Sequence, residues 1–316
     1  HKIYLYLLLA LALVMPINER LVVLVIALIG LNWILEWNFA EKYRRLKESK
    51  IKQLTLLFGI VYLPYVAGLF YSENFGGWSG ADSVLAVKLS LLVFPLLIST
   101  INPEKIDPQL YNKILKAFVW GCLLSGILIL NLAVFHYFQE GTASVFFYTR
   151  LSGPFHPSYL ALYYSFVITL LSLWITRYFQ TNPTKTVLVI FLIVFFQVLT
   201  VFLSSKAGII GVFLIYGTLI FFSVIRIRRT GLRPVWIYLA LLLSFFVILI
   251  LTPPVLKRFA VAKGAVENTT GTEDTLVANE STASRMLAWK YSWEVIKENP
   301  LWGVGSGDVK DELMQK

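Results

Sequence analysis

Nine runs of mostly apolar residues, each close to the length of a bilayer-crossing helix, constrain this chain more than any other feature. They lie at 2–17, 21–37, 54–71, 84–100, 117–135, 157–175, 186–204, 207–225 and 234–252. A helix rises about 1.5 Å per residue, so about 20 apolar residues cross a hydrocarbon core about 30 Å thick. No water reaches backbone amides and carbonyls in that core, and a helix satisfies them within one segment. The expected fold class is all-α, a polytopic transmembrane bundle of about nine spans. The first two runs are joined only by the short Pro16–Arg20 turn and also allow a re-entrant hairpin.

Charged residues make up 15% of the 316, against about 25% in an ordinary soluble domain. A net charge of +10 in a soluble protein would raise the question of nucleic acid. Here the cations sit in loops, so membrane lipid is the implied partner and no nucleic acid is expected. One loop holds Lys42, Arg44, Arg45, Lys47, Lys50 and Lys52; alternate loops hold Lys105 with Lys113, Arg177 with Lys185, and Arg226, Arg228, Arg229 and Arg233. The loops between contain Arg20, Arg150 and Lys206. Because cations collect at cytoplasmic helix ends, the first set faces the cytoplasm. Residues 72–83, 136–156 and everything from Pro253 onward then face outward.

The expected organisation is a transmembrane bundle over 1–252 and an outward-facing segment over 253–316, which the resemblance given below would make periplasmic. Within that segment, 264–279 has no apolar period and reads as a loop, with the glycosylation-pattern triplets Asn268-Thr269-Thr270 and Asn279-Glu280-Ser281. A helix is predicted near 282–298, capped by Ser281 or Ser284 and ended by Asn299-Pro300. Met286, Trp289, Trp293 and Ile296 recur along one face of it, as in an amphipathic helix beside a membrane. The chain begins at His1 and stops at Lys316 inside a polar stretch, so a fragment of a longer protein is expected.

The lone Cys122 allows neither a disulfide within one chain nor a cysteine metal site. A Walker A loop, an H-E-x-x-H helix and zinc-spaced Cys or His pairs are absent from the sequence, as is a cytoplasmic Asp-x-Asp pair. A cytoplasmic ATPase, a metalloprotease and a nucleotide-sugar enzyme are therefore not expected, and neither metal nor cofactor is called for. Lys88 is the notable charge inside a span, where it either snorkels to headgroups or meets a phosphate. Lys206, in Ser204-Ser205-Lys206-Ala207-Gly208, joins two spans so tightly that its charge must stay at the membrane surface. It either ends a helix or meets a lipid phosphate. Arg285 opens the amphipathic helix, where a cation opposes the macrodipole. His156, in Gly153-Pro154-Phe155-His156-Pro157, stands at the mouth of the sixth span as a structural or catalytic imidazole.

With these residues in view, the chain resembles the O-antigen ligase and polymerase family of membrane glycosyltransferases. The resemblance rests on Ser284-Arg285-x-x-x-Trp289, then Ile296, Asn299-Pro300-Leu301 and Gly303-Val304-Gly305-Ser306-Gly307, with weaker matches at Ser205–Gly208 and Gly153–Pro157. It implies transfer of a glycan from an undecaprenyl-diphosphate carrier to an acceptor hydroxyl, without metal or cofactor, at the outer face of the bacterial inner membrane. The acceptor is lipid A core, another glycan or a protein, corresponding to a ligase, a polymerase or a protein O-oligosaccharyltransferase. Arg285, Lys206 and Lys88 would hold the donor diphosphate. The family commonly has arginine at the position of Lys206 and a functional histidine beyond the Gly-x-Gly stretch. No histidine follows His156 here, which is read as truncation and leaves His156 as the candidate base within this chain. A lipid or polysaccharide flippase would share the helices but needs a charged path through them, and a scaffold would need none of these side chains.

Overall fold

In the computed structural model, which describes residues 2–73, 84–100, 109–178, 182–253, 255 and 281–315, every apolar run is helical and no strand occurs among the described residues. The helices are α1 (Lys2–Val14), α2 (Glu19–Leu35), α3 (Phe39–Leu46), α4 (Ser49–Leu69), α5 (Val84–Lys88), α6 (Ser90–Ser99), α7 (Leu110–Glu140), α8 (Tyr148–Ser152), α9 (Pro157–Tyr178), α10 (Pro183–Phe202), α11 (Lys206–Ile225), α12 (Ile227–Thr230), α13 (Arg233–Ile250), α14 (Ser281–Glu298) and α15 (Val309–Gln315). The loop read at 264–279 lies outside the described residues.

Five of these helices, α7, α9, α10, α11 and α13, are long and apolar enough to cross a membrane by themselves. α2 reaches that standard only together with α3, across a bend of 107°. The apolar parts of α1, α4 and α6 are shorter, at 10–17 residues. The nine expected spans thus each fall on an apolar helix, but not on nine uniform rods. These helices also differ locally from uniform rods. α4 opens with the polar residues of Ser49–Gln53 and carries Pro64, α6 carries Pro95, and Leu89 separates α5 from α6. Proline removes an intrahelical hydrogen bond wherever it falls in a helix interior.

The described chain divides into two compact units, Lys2–Ile29 with Pro108–Val261, and Gly30–Asp107 with Ala262–Lys316. In the first, α1 packs on α7, α9 on α10, and α11 on both α9 and α13. Small residues permit the closest approaches, as is usual between helices in lipid. A Cβ on Gly121 of α7 would overlap the Leu13 carbonyl of α1, and one on Gly126 would come within 2.6 Å of Leu199. Fully buried Tyr164, Phe196, Leu199 and Phe245 fill the interior. Among them sits Gln197, also fully buried, whose amide nitrogen donates to the Tyr216 hydroxyl (2.9 Å) and the Leu241 carbonyl (2.9 Å). Ser244 donates to its amide oxygen at 2.9 Å. One side chain thereby ties α10 to α11 and α13, and an unpaired amide at that depth would be costly.

In the second unit, Lys42 is buried at the bend between α2 and α3. Its ammonium donates to the Trp33 carbonyl, lies 4.4 Å from the Trp33 ring centroid and stands 3.9 Å from Glu36. Trp37, at φ 52°, turns the corner. Lys42, read from the sequence as a loop cation, lies in α3 and pins the bend. α4 packs on α6, and the Trp33 indole donates to Thr100 at 2.8 Å.

Candidate functional site

In the first unit, α10 ends at Phe202 and α11 begins at Lys206, so the chain reverses over Leu203, Ser204 and Ser205. Ser204 takes a left-handed conformation (φ 49°) that is uncommon outside glycine, and its hydroxyl donates to the Phe202 carbonyl. Ser205 caps α11 by accepting the Gly208 amide at 3.2 Å and donates to the Ser158 hydroxyl at 3.3 Å. Gly208 lies against α9, where a Cβ would come within 2.6 Å of the Ala161 Cβ. Serine, lysine and glycine of the Ser-Lys-Ala-Gly run therefore each have a physical place. Serine caps, glycine lets two helices touch, and the half-buried Lys206 stands at the first position of α11. An anion there would meet an ammonium and the positive end of a helix together.

Ser158, the partner of Ser205, belongs to the first turn of α9, with Pro157 at its first position. His156 immediately precedes that helix and is exposed. Its Nδ1 accepts the Ser158 amide at 3.2 Å, and its ring meets Tyr159 edge-on at 5.8 Å. A neutral imidazole accepting at Nδ1 carries its proton on Nε2. His156 in this arrangement caps α9. The Ser158–Ser205 contact brings His156 and Lys206 to the same end of the unit.

In the second unit, α14 starts at Ser281, a full turn before Arg285. The macrodipole acts mainly within the first turn, so the adverse placement expected for Arg285 is weaker than the sequence implied. Arg285 is exposed. Trp289 (72%), Trp293 (59%) and Ile296 (52%) are also exposed, while Val295 is buried on another face. The apolar stripe of α14 is therefore turned away from its own unit.

Beyond α14 the chain folds back onto the end of α4. Gly303 (φ 68°) and Gly305 (φ 87°) supply the left-handed turns. Ser306 donates its amide to the Gly68 carbonyl (3.1 Å), and Gly307 donates to the Ser72 hydroxyl (2.9 Å). The Tyr71 hydroxyl donates to the Trp302 carbonyl, and the Asp308 carboxylate accepts the Glu73 amide at 2.8 Å. A Cβ on Gly68 would overlap Ser306, and one on Gly305 would overlap Ser72. The Gly-x-Gly run is a clamp between residues 302–308 and 68–73. Sequence reading missed Gly68, Tyr71 and Ser72; the only signal was a glycine one turn before a Tyr-Ser pair at the end of an apolar run.

Lys88, half-buried at the end of α5, has its ammonium 5.5 Å from the Tyr65 ring centroid of α4. A cation–π contact of this kind accounts for its position without a phosphate. Among the described residues no three His, Cys, Asp or Glu side chains gather as a metal site.

The helices define a polytopic membrane protein. Within it, residues 187–315 match the family model described as O-antigen ligase, which bears out the resemblance read from the residues. Members of that family are glycosyltransferase-like enzymes, ligases and polymerases. The matched span contains the Lys206 turn, Arg285 and the Gly303–Gly307 run; His156, Lys88 and the 68–73 side of the clamp precede it. No curated protein and no solved structure matches the chain.

Proposed function

We propose that this protein transfers a glycan from a polyprenyl-diphosphate carrier to an acceptor hydroxyl at the outer face of the bacterial inner membrane, as an O-antigen ligase does. The observation that carries this reading is the Lys206 turn, a cation at a serine-capped helix N-terminus within the family-matched span. In the reaction the bond from the sugar's anomeric carbon to the diphosphate oxygen breaks, and one from that carbon to the acceptor oxygen forms. The diphosphate leaves with the electron pair, and the acceptor's proton passes to a base. Lys206 stabilises the charge that grows on the departing diphosphate, and Arg285 is a diphosphate-binding candidate on the resemblance alone. Lys88 is the weakest of the three diphosphate candidates because Tyr65 already engages it. His156 is the base within this chain. To take a proton on Nδ1 it must release the Ser158 amide, a loss of about 0.5–2 kcal/mol for a helix cap. A polymerase or protein O-oligosaccharyltransferase would differ only in the acceptor.

The outward placement of the reaction is supported by loop charge and by the clamp, since residues 302–308, read as outer, meet 68–73, where the span at 54–71 passes into the loop read as outer at 72–83. The exposed tryptophans of α14 suit a membrane interface. The deciding experiment is a transfer assay with purified protein in liposomes and an undecaprenyl-diphosphate-linked glycan, using Lys206→Ala and Lys206→Arg. Alanine is expected to lower transfer strongly, while arginine keeps or raises it through its paired donors. Full transfer by Lys206→Ala would leave Lys206 as a helix terminus. Single cysteines at Lys47 and Arg228 should be shielded from an impermeant thiol reagent in intact cells and one at Thr272 labelled, with Cys122 replaced; the reverse pattern would invert the topology.

A further inference from the structure

At the end of the first unit opposite Lys206, the ends of α9 and α11 and the start of α13 border an open cavity of about 440 Å³. Its volume falls within the range of about 300–1,000 Å³ typical of small-ligand pockets. Arg226, at the C-terminal cap of α11, and Arg233, at the first position of α13, both line it. Following α11 inward, Ser223 comes next, then Phe222 and Leu219; on α13, Tyr238 lies more than one turn inside Arg233. Leu219 is seven residues from Arg226, about 10 Å along a helix. The lining thus grades from two guanidinium groups, through hydroxyls, to hydrocarbon over the depth at which a phospholipid passes from phosphate to acyl chain.

We propose that this cavity binds an anionic phospholipid of the cytoplasmic leaflet, with its phosphate between Arg226 and Arg233 and the upper part of one acyl chain along Phe222 and Leu219. Cations at a cytoplasmic helix end serve to orient a membrane protein, and that role alone requires no cavity. Two arginines that border an amphipathic hollow do more than orient the chain, because each guanidinium offers paired donors to phosphate oxygens. Basic pockets between spans on the cytoplasmic side are suited to acidic headgroups. The site is some 20 residues of α11 away from the Lys206 turn, about 30 Å along the helix. It is independent of the proposed transfer reaction.

The test is thermal unfolding of the full chain in detergent micelles doped with phosphatidylglycerol or with phosphatidylcholine, with direct detection of bound lipid by native mass spectrometry. Phosphatidylglycerol should raise the midpoint by about 3 °C or more over phosphatidylcholine and remain bound in the spectrum. The paired change Arg226→Gln with Arg233→Gln should abolish both effects. Arg226→Lys with Arg233→Lys should keep part of them. Arg228→Gln, in the same connection but outside the cavity lining, should keep them in full. The proposal is overturned if the paired glutamine variant binds phosphatidylglycerol as the native chain does, or if Arg228→Gln loses as much, which would mean diffuse loop attraction. It is also overturned if inorganic phosphate alone reproduces the shift, which would mean a free-anion site.

Discussion

Lys206 and Arg285 are both cations set beside glycine-bearing motifs, yet the chain holds them in opposite ways. Lys206 follows a buried, left-handed turn, and its neighbours Ser204, Ser205 and Gly208 are all buried. Everything that fixes its backbone lies within two residues of it or directly across on α9. Arg285 sits exposed on a helix whose anchorage lies at the far end, nearly twenty residues on, where Gly303–Gly307 clasps α4. The first cation is positioned by close packing and the second at a distance by a lever. Perturbations should therefore reach the two by different routes.

The largest effect is expected at the locally held cation. Lys206→Ala should lower glycan transfer by about 10²–10³, the usual loss for one electrostatic donor to developing charge, while leaving the unfolding midpoint nearly unchanged. Equal losses of stability and rate would show that the side chain holds the turn rather than the donor.

Next comes the lever. Gly305→Ala forces a side chain into a left-handed position and into Ser72, a strain of about 1–3 kcal/mol. It should loosen residues 302–308 and raise proteolysis near the end of α14, while α9 to α11 keep their protection. Protection unchanged in both regions would mean that the clamp does not hold α14. Ser72→Ala removes one acceptor without strain and should do the same more weakly, by about 1 kcal/mol.

Gly208→Ala tests the opposite side of the comparison. The added methyl presses on Ala161 and should cost about 1–3 kcal/mol by overpacking. It should slow transfer by displacing Lys206, with proteolysis near α14 unaltered. A native transfer rate would separate the α9–α11 contact from the site. The smallest change is expected from Gln197→Leu, which removes all three amide hydrogen bonds together with their desolvation. Interhelical hydrogen bonds in membranes average about 0.6 kcal/mol, so the midpoint should fall by no more than a few degrees, while Gln197→Ala, which also opens a hole, should fall further.

Much of the fold was legible before any coordinates, because a bilayer imposes a length and a polarity on each crossing segment. The runs at 117–135, 157–175, 186–204, 207–225 and 234–252 correspond to α7, α9, α10, α11 and α13 with only boundary differences. Elsewhere the apolar runs were seen but their breaks were not. The corner at Trp37 and the break at Leu89 interrupt apolar runs without altering hydrophobicity, while Pro64 and Pro95 lie within continuous helices. At the candidate site, Lys206, His156 and Arg285 stood out as charged or titratable groups in apolar or turn-rich surroundings. Ser158, Gln197, Gly68 and Ser72 did not, since each is an ordinary residue whose importance is a contact with a distant segment.

The sequence by itself determined what depends on nearest neighbours and solvent: which segments are helical and apolar, which loops carry charge, where serine can cap and glycine can turn. Tertiary structure decided which of those local features meet. It paired Ser205 with Ser158 across two helices and folded residues 302–308 onto the end of α4. It also drew Lys42 from a basic loop into a buried corner. Each pairing joins groups separated along the chain by anything from nine residues to more than two hundred. At the longer separations no local period or propensity records the partner, and only the packing of apolar faces brings the two together.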